Sequence, residues 1–180
     1  MYTPQEDSYL LAEVLTKFLK NTTIKPKKVL DMGSGSGIQA QTCIDQGITK
    51  KNITTADIDP GVIQYLKNQG FKSILSNLFQ NISGKFDLII FNPPYLPEHP
   101  QEKGIDTSGG EKGYETIIKF LKQAKNHLKK EGTILLLLSS LTHPKKVKSE
   151  AKKYFYVKEA ASKKLFFEEL FVWELTLNKI

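Results

Sequence analysis

The chain has 180 residues, 39% of them hydrophobic and 10% aromatic, which suits one folded domain and excludes a disordered chain. Its single cysteine, Cys43, excludes an internal disulfide bond and a zinc site made of cysteines. All 26 basic residues are lysine, and because arginine is the usual reader of guanine, the net charge of +7 gives little support to sequence-specific DNA recognition.

The apolar segments of the chain are short. The longest apolar run, residues 133–138, is far below the roughly 20 residues that cross a membrane. Residues 1–20 lack the basic segment and unbroken apolar stretch of a signal peptide. We therefore expect one cytoplasmic domain over residues 1–180 that does not contact a membrane.

The first predicted element is a helix near the start of the chain. Thr3 is its expected N-cap, with Pro4 at the first helical position and Glu6 closing a capping box. The apolar positions that follow have the spacing of one helix face. They are Leu11, Val14, Leu15, Phe18 and Leu19.

Apolar runs and helical patterns then alternate along the chain. Strands are predicted at residues 28–32, 53–58, 73–75, 86–91, 133–139, 154–160 and 170–177. Helices are predicted at 38–44, 60–70, 114–128 and 144–153, with a long loop at 96–112. This order indicates an α/β fold with a mostly parallel seven-stranded sheet and helices on both faces. Since no helix separates the last two strands, an antiparallel strand is expected near the C-terminus.

A glycine-rich turn follows the first predicted strand. Gly33, Gly35 and Gly37 have the spacing G-x-G-x-G, and Asp57 lies 20 residues beyond Gly37, at the end of the next strand. That is where α/β nucleotide sites place a carboxylate for ribose hydroxyls. Ile38 occupies the position of the third glycine of a dinucleotide fingerprint, so the spacing favours a ligand without a pyrophosphate, such as S-adenosylmethionine (AdoMet).

The motif Asn92-Pro93-Pro94-Tyr95 ends the fourth predicted strand. Two prolines stop the strand and restrict the backbone, so the turn can hold a polar group in place. The Asn92 side-chain oxygen and the Pro93 carbonyl could accept hydrogen bonds from a planar NH2 group, and Tyr95 could stack on it. The motif predicts methyl transfer to such a nitrogen by orientation and hydrogen bonding, without a metal ion.

These motifs together resemble the HemK-type protein-glutamine methyltransferases, within the class I AdoMet-dependent methyltransferases with a Rossmann-like fold. More narrowly, the chain resembles the short archaeal and eukaryotic branch that methylates the Gly-Gly-Gln glutamine of class I translation release factors. The segments that carry the resemblance are Tyr2–Leu11, Asp31–Gly37, Asp57–Pro60, Asn92–Tyr95, Ser108–Gly110 and Gly113.

The resemblance implies roles for individual residues around AdoMet. Ser8, Asp31 and Gly33 would contact its methionine end. Asp57 would hold the ribose, and Asn77 and Leu78 would lie beside the adenine. Gly35, Gly37 and Ile58 complete the expected cofactor set. The family usually has aspartate where this chain has Asn77, so the affinity for the cofactor is expected to be lower.

The resemblance also implies a partner. The bacterial members have an N-terminal helical substrate domain, whereas this chain begins near Pro4, and the short branch works with a small zinc-binding activator protein. We expect that partner on the sheet edge near Ile74 and Leu75. Other acceptors stay open, namely an amino group of a base in rRNA or DNA, or a protein lysine. A non-catalytic AdoMet-binding module is a further alternative.

Overall fold

The computed structural model describes residues 3–94 and 113–179. Tyr95 and the loop predicted at 96–112 lie outside these residues. The described helices are α1 (Glu6–Asn21), α2 (Ile38–Asp45), α3 (Pro60–Asn68), α4 (Glu115–His127) and α5 (Pro144–Ala151). The described strands are β1 (Val29–Met32), β2 (Ile53–Asp57), β3 (Lys72–Leu75), β4 (Phe86–Phe91), β5 (Leu128–Ser139), β6 (Phe155–Lys164) and β7 (Glu169–Leu177).

The strands form one seven-stranded sheet in the order β3-β2-β1-β4-β5-β7-β6. The first five strands of that order pair in parallel, and β7 is antiparallel to both β5 and β6. The predicted fold class, including the antiparallel C-terminal strands, is confirmed. Because β1, β2 and β4 are parallel neighbours, their carboxyl ends meet at one edge of the sheet.

Apolar side chains cover both faces of the sheet. On one face, Leu11 of α1 and Ala40 of α2 pack with Val29 and Leu88 of the central strands. On the other face, Phe120 of α4 packs with Phe91 at the end of β4, with ring centroids 4.5 Å apart. Cores on both faces hold the central strands in fixed positions. The groups at the ends of these strands are therefore well placed for a binding site.

The start of α1 differs from the prediction. The helix begins at Glu6, and its N-cap residue is Gln5, which makes no side-chain capping hydrogen bond. Thr3 as N-cap and Glu6 as part of a capping box were wrong. The helix starts two residues later than predicted, and within its first turn the Asp7 carboxylate accepts the backbone N–H of Ser8 at 2.6 Å, so this donor has a partner other than the predicted cap. At α3, by contrast, Asp59 accepts from the Gly61 N–H at 2.7 Å, as an N-cap should.

Strand β5 begins at Leu128, five residues before its predicted start at Thr133, and β6 extends to Lys164. The early part of β5 carries exposed charged side chains, so it has no apolar signal. Gly132 is needed there, because a Cβ would lie 2.9 Å from the Phe86 carbonyl oxygen of the neighbouring strand. Among the described residues, no helix has the length and apolar character required to cross a membrane.

Candidate active site

A cavity of about 550 Å³ opens at the carboxyl ends of β1, β2 and β4. It is of the size that suits a small-molecule ligand. The first turn of α1 and the turn after β3 form further parts of its wall. The predicted site residues that line it are Ser8, Asp31, Gly33, Gly35, Asp57, Ile58, Asn77, Leu78, Asn92, Pro93 and Pro94.

The glycine turn between β1 and α2 depends on backbone conformations that favour glycine. Gly33, Gly35 and Gly37 have φ angles of +62°, +48° and +79°. A Cβ on Gly33 would lie 3.2 Å from the Phe91 ring, so glycine allows the turn to approach the end of β4. Gly37 is not among the residues lining the cavity, and a Cβ there would lie 2.7 Å from Leu66 of α3. Gly37 thus serves the packing of α2 against α3.

Ser34 ties this glycine turn to β2, a role that the sequence did not indicate. Its buried hydroxyl donates to the Asp31 carbonyl oxygen at 2.7 Å and accepts from the Ala56 N–H at 3.0 Å. Its own N–H donates to the Ala56 carbonyl oxygen at 3.1 Å. The turn is therefore bonded to the ends of both β1 and β2.

Asp57 stands at the end of β2 and faces the glycine turn. One carboxylate oxygen accepts from the Gly35 N–H at 2.9 Å, and the other accepts from the Asp59 N–H at 3.0 Å. A carboxylate offers about four acceptor positions. Two hydroxyl donors of a ligand can therefore still bind Asp57 while these backbone contacts hold its side chain in place.

Asp31, at the end of β1, is buried, with 2% of its surface exposed. Its carboxylate accepts from the Ala40 N–H at 3.1 Å, in the first turn of α2. Burial raises the pKa of Asp31 well above its ordinary value, the hydrogen bond from Ala40 opposes that rise, and the nearby charge of Asp57 adds to it. Asp31 thus joins β1 to α2 at the floor of the cavity.

The turn after β3 forms the opposite wall. Ser76 donates its hydroxyl to the Leu78 carbonyl oxygen at 2.7 Å and accepts from the Asn81 N–H at 3.0 Å. Leu78 has a φ of +50°, which is uncommon for a residue other than glycine. This conformation buries Leu78 and leaves Asn77 exposed at the rim of the cavity.

Asn92, directly after β4, is held by a residue of α1. Its Nδ2 donates to Asp7 Oδ2 at 3.0 Å. Its Oδ1 is buried and has no hydrogen-bond partner among residues 3–94 and 113–179, and the same holds for Oε1 of Gln39 in the cavity wall. Buried polar atoms are usually paired. Two such acceptors fit a ligand that brings N–H donors, such as the amino group of AdoMet or an NH2 group to be methylated.

Asp7, Ser34 and Gln39 are polar cavity residues among those that the site prediction did not include. Asp7 belongs to the Tyr2–Leu11 segment, but the family resemblance implied no contact with AdoMet or the acceptor for it. Gln39 donates to the Ser8 carbonyl oxygen at 2.9 Å, joining α2 to the first turn of α1. A polar residue on the buried face of α2 was the one signal that could have indicated it. Among the described residues, no group of histidine, cysteine and acidic side chains could hold a metal ion.

The sequence matches the family model of the methyltransferase small domain over residues 7–166. A Methanocaldococcus jannaschii protein assigned as a protein N5-glutamine methyltransferase is 38% identical over 97% of this chain and 92% of its own length. The ribosomal RNA small subunit methyltransferase C of Pasteurella multocida is 33% identical over 71% of this chain, which spans only 38% of that relative.

Two solved structures show the same fold. The Mtq2–Trm112 complex from E. cuniculi, responsible for methylation of the eRF1 translation termination factor, matches with a TM-score of 0.78 and 22% identity over 98% of both chains. The T. thermophilus 16S rRNA N2 G1207 methyltransferase, in complex with AdoMet and guanosine, matches with a TM-score of 0.72 and 18% identity. That match covers 98% of this chain and 44% of the other.

The fold and the cavity with its glycine turn are those of an AdoMet-dependent methyltransferase, and the family model agrees. The chain belongs to the methyltransferase small domain family and, within it, to the HemK-type methyltransferases.

Proposed function

We propose that this enzyme transfers a methyl group from AdoMet to the side-chain amide nitrogen of the Gly-Gly-Gln glutamine of a class I translation release factor. The observation that carries the proposal is the buried Oδ1 of Asn92, which lies in the cavity wall and has no partner within the described part of the chain. A glutamine NH2 group supplies the donor that this oxygen lacks. The similarity to the M. jannaschii relative and to the E. cuniculi complex supports the same acceptor.

The cofactor would lie along the glycine turn. When bound, AdoMet supplies an electrophilic methyl carbon on a sulfonium. Asp57 would accept hydrogen bonds from the ribose hydroxyls, and Asn77 and Leu78 would flank the adenine. The wall formed by Ser8, Asp31 and Gly33 would enclose the methionine end. Gln39 Oε1 adds a further acceptor to that wall.

Asn92 and Pro93 would orient the acceptor amide. The lone pair of an amide nitrogen is delocalised, so the nitrogen is a weak nucleophile. Hydrogen bonds from both its hydrogens, to Asn92 Oδ1 and the Pro93 carbonyl oxygen, favour a more tetrahedral nitrogen whose lone pair points at the methyl carbon. As the N–C bond formed and the bond between the sulfonium sulfur and the methyl carbon broke, leaving S-adenosylhomocysteine, positive charge on the nitrogen would strengthen these hydrogen bonds, and one proton would then leave the nitrogen for solvent. Pro94 restricts the turn, and Tyr95 is proposed to stack on the amide plane.

The activator is proposed to dock on the edge of the sheet. Strand β3 is an edge strand, and Leu75 there is 46% exposed, while Ile74 is half-buried. An exposed strand edge with an apolar side chain can pair with a strand of another protein. The E. cuniculi protein forms a complex with Trm112, which supports a small activator of that kind for this chain. That this activator binds zinc is part of the proposal.

A base amino group of ribosomal RNA is the second candidate acceptor. The P. multocida relative is an rRNA methyltransferase, and the T. thermophilus neighbour was solved with guanosine. An exocyclic amino group of a base is also a planar NH2 group. It would therefore meet Asn92 Oδ1 in the same way.

The test is methyl transfer from tritiated AdoMet, with and without the activator, to three acceptors: the release factor, the same factor with its Gly-Gly-Gln glutamine changed to alanine, and rRNA. We expect label in the first alone. Label that survives the glutamine change would indicate another side chain, such as lysine. Label only in RNA would refute the proposal.

Two variants separate the cofactor side of the site from the acceptor side. Asn92→Ala is expected to abolish transfer and to bind S-adenosylhomocysteine as the wild type does. Asp57→Ala is expected to weaken that binding about tenfold or more, because hydrogen bonds to a charged acceptor are lost. Calorimetry measures both affinities. Full turnover by Asn92→Ala would remove Asn92 from the mechanism.

A further inference from the structure

Asp7 and Asn92 meet across 85 residues of sequence. Asp7 lies in the first turn of α1 with 4% of its surface exposed, and Asn92 follows β4. Asn92 Nδ2 donates to Asp7 Oδ2 at 3.0 Å. We infer that Asp7 is a positioning residue, which holds the Asn92 amide with its oxygen directed to the acceptor nitrogen. This inference rests on the proposed role of Asn92.

The orientation follows from the chemistry of the two side chains. Carboxylate oxygens only accept hydrogen bonds, whereas an amide has one donating and one accepting end. The end of Asn92 that faces Asp7 must therefore be the nitrogen. The oxygen then lies on the other side, where it has no partner in the described part of the chain.

Both carboxylate oxygens of Asp7 bind N–H groups. While Oδ2 accepts from Asn92, Oδ1 accepts from the Ser8 N–H at 2.6 Å. Asparagine at position 7 would have the same shape but only one accepting oxygen. It could not satisfy both donors, and its own NH2 group would favour the reversed orientation of Asn92.

The first turn of α1 is held by α2, so Asp7 cannot simply follow Asn92. Gln39 of α2 donates to the Ser8 carbonyl oxygen at 2.9 Å. The ion pair of Glu6 with Lys163 is exposed and contributes little to this support. Asp7 is thus a fixed reference for the amide.

The orientation of the Asn92 amide would make the site select acceptors that present N–H donors. With Oδ1 directed to the acceptor, an NH2 group forms a hydrogen bond with Asn92. With the amide reversed, two NH2 groups would face each other, and the acceptor would lose that bond together with its orientation. The choice of NH2 nitrogen would therefore depend on Asp7 as well as on Asn92.

The test compares Asp7→Asn and Asp7→Ala with a control, Glu6→Gln, which removes a charge from the adjacent, exposed residue. We expect Asp7→Asn to lower kcat about 100-fold, the effect of losing one oriented hydrogen bond in a transition state. Asp7→Ala should lose less, about tenfold, because Asn92 can then adopt either orientation. Affinity for S-adenosylhomocysteine should stay within about twofold, and Glu6→Gln should match the wild type.

A merely structural role predicts the reverse order, because asparagine preserves the shape of aspartate and alanine does not. Near-normal kcat for Asp7→Asn, or a larger loss for Asp7→Ala than for Asp7→Asn, would overturn the inference. Kinetics are measured with whichever acceptor takes label, release factor or rRNA. A failure of the glutamine proposal therefore appears as a change of acceptor, and a failure of Asp7 positioning appears as the wrong order of kcat values.

A second readout does not need activity. The side-chain amide NMR signals of Asn92, identified by their loss in Asn92→Ala, should shift in Asp7→Asn and stay in place in Glu6→Gln. Unshifted Asn92 signals in Asp7→Asn would show that the amide keeps its orientation, which would also overturn the inference.

Discussion

Replacing Ser34 by alanine tests how much one hydroxyl group contributes to holding the glycine turn. The Ser34 hydroxyl donates to the Asp31 carbonyl oxygen at 2.7 Å and accepts from the Ala56 N–H at 3.0 Å, in a buried position. Alanine leaves that N–H without this partner. Removing one partner so that a buried donor stays unsatisfied costs about 1–3 kcal/mol. We therefore expect Ser34→Ala to lower the free energy of unfolding by about 1–3 kcal/mol.

Urea unfolding measures this loss, and Ser36→Ala is the matched control. Ser36 belongs to the same turn and lines the cavity, but it is half-buried and makes no side-chain hydrogen bond within residues 3–94 and 113–179. It should change the free energy of unfolding by less than about 0.5 kcal/mol. Ser34→Ala should also bind S-adenosylhomocysteine more weakly, because the turn loses one of its hydrogen bonds to β2. Equal stability of the two variants would refute the reasoning.

The remaining predictions concern Asp31 and Gly37. The pKa of Asp31 is raised in the folded protein, chiefly by burial, so its contribution to stability is fully present below the ordinary carboxyl pKa and is lost as pH rises through the raised value. Asp31→Asn, whose oxygen can still accept from Ala40, should therefore show a smaller loss of stability than the wild type between pH 4 and neutral pH in denaturant titrations; parallel curves would contradict this. Gly37→Ala should destabilise by at least about 1 kcal/mol more than Gly47→Ala. Both glycines have positive φ angles, but only at Gly37 would the new Cβ meet Leu66, at 2.7 Å. Equal losses on thermal unfolding would contradict a steric role for Gly37.

The sequence predicted the architecture well because its signals are local. The run Phe86–Phe91 is nearly all apolar, which predicts a strand buried on both faces, and it is β4 in the structure. The glycine spacing and Asp57 pointed to the edge of the sheet where the cavity opens, because a tight turn with positive φ angles favours glycine in the sequence. The start of β5 was missed since the residues after Leu128 are charged and exposed. Leu128 itself is part of the strand because it pairs with Phe86 of β4, and the sequence of β5 alone does not show that pairing.

The contacts that organise the site could not be predicted in the same way. Asp7 and Asn92 come from opposite ends of the Rossmann-like half, and no periodicity relates them. Ser34 and Ser36 are both serines of one short motif, yet only the Ser34 hydroxyl accepts a hydrogen bond from the Ala56 N–H. Which of two identical residues is buried depends on the φ angles of the intervening glycines, and these follow from the packing of the turn against β2 and β4.

The site divides into two parts that are held by different kinds of contact. On the proposed cofactor side, Asp31, Ser34 and Asp57 are bonded to backbone groups, so their positions follow from the fold itself. On the proposed acceptor side, Asn92 donates to a side chain, Asp7. In the proposed mechanism this pair selects a planar NH2 group, which glutamine and the nucleic-acid bases share. The choice between a protein and an RNA must therefore depend on surfaces that contact the macromolecule beyond this pair, and this is why relatives with one fold can act on ribosomal RNA or on a termination factor.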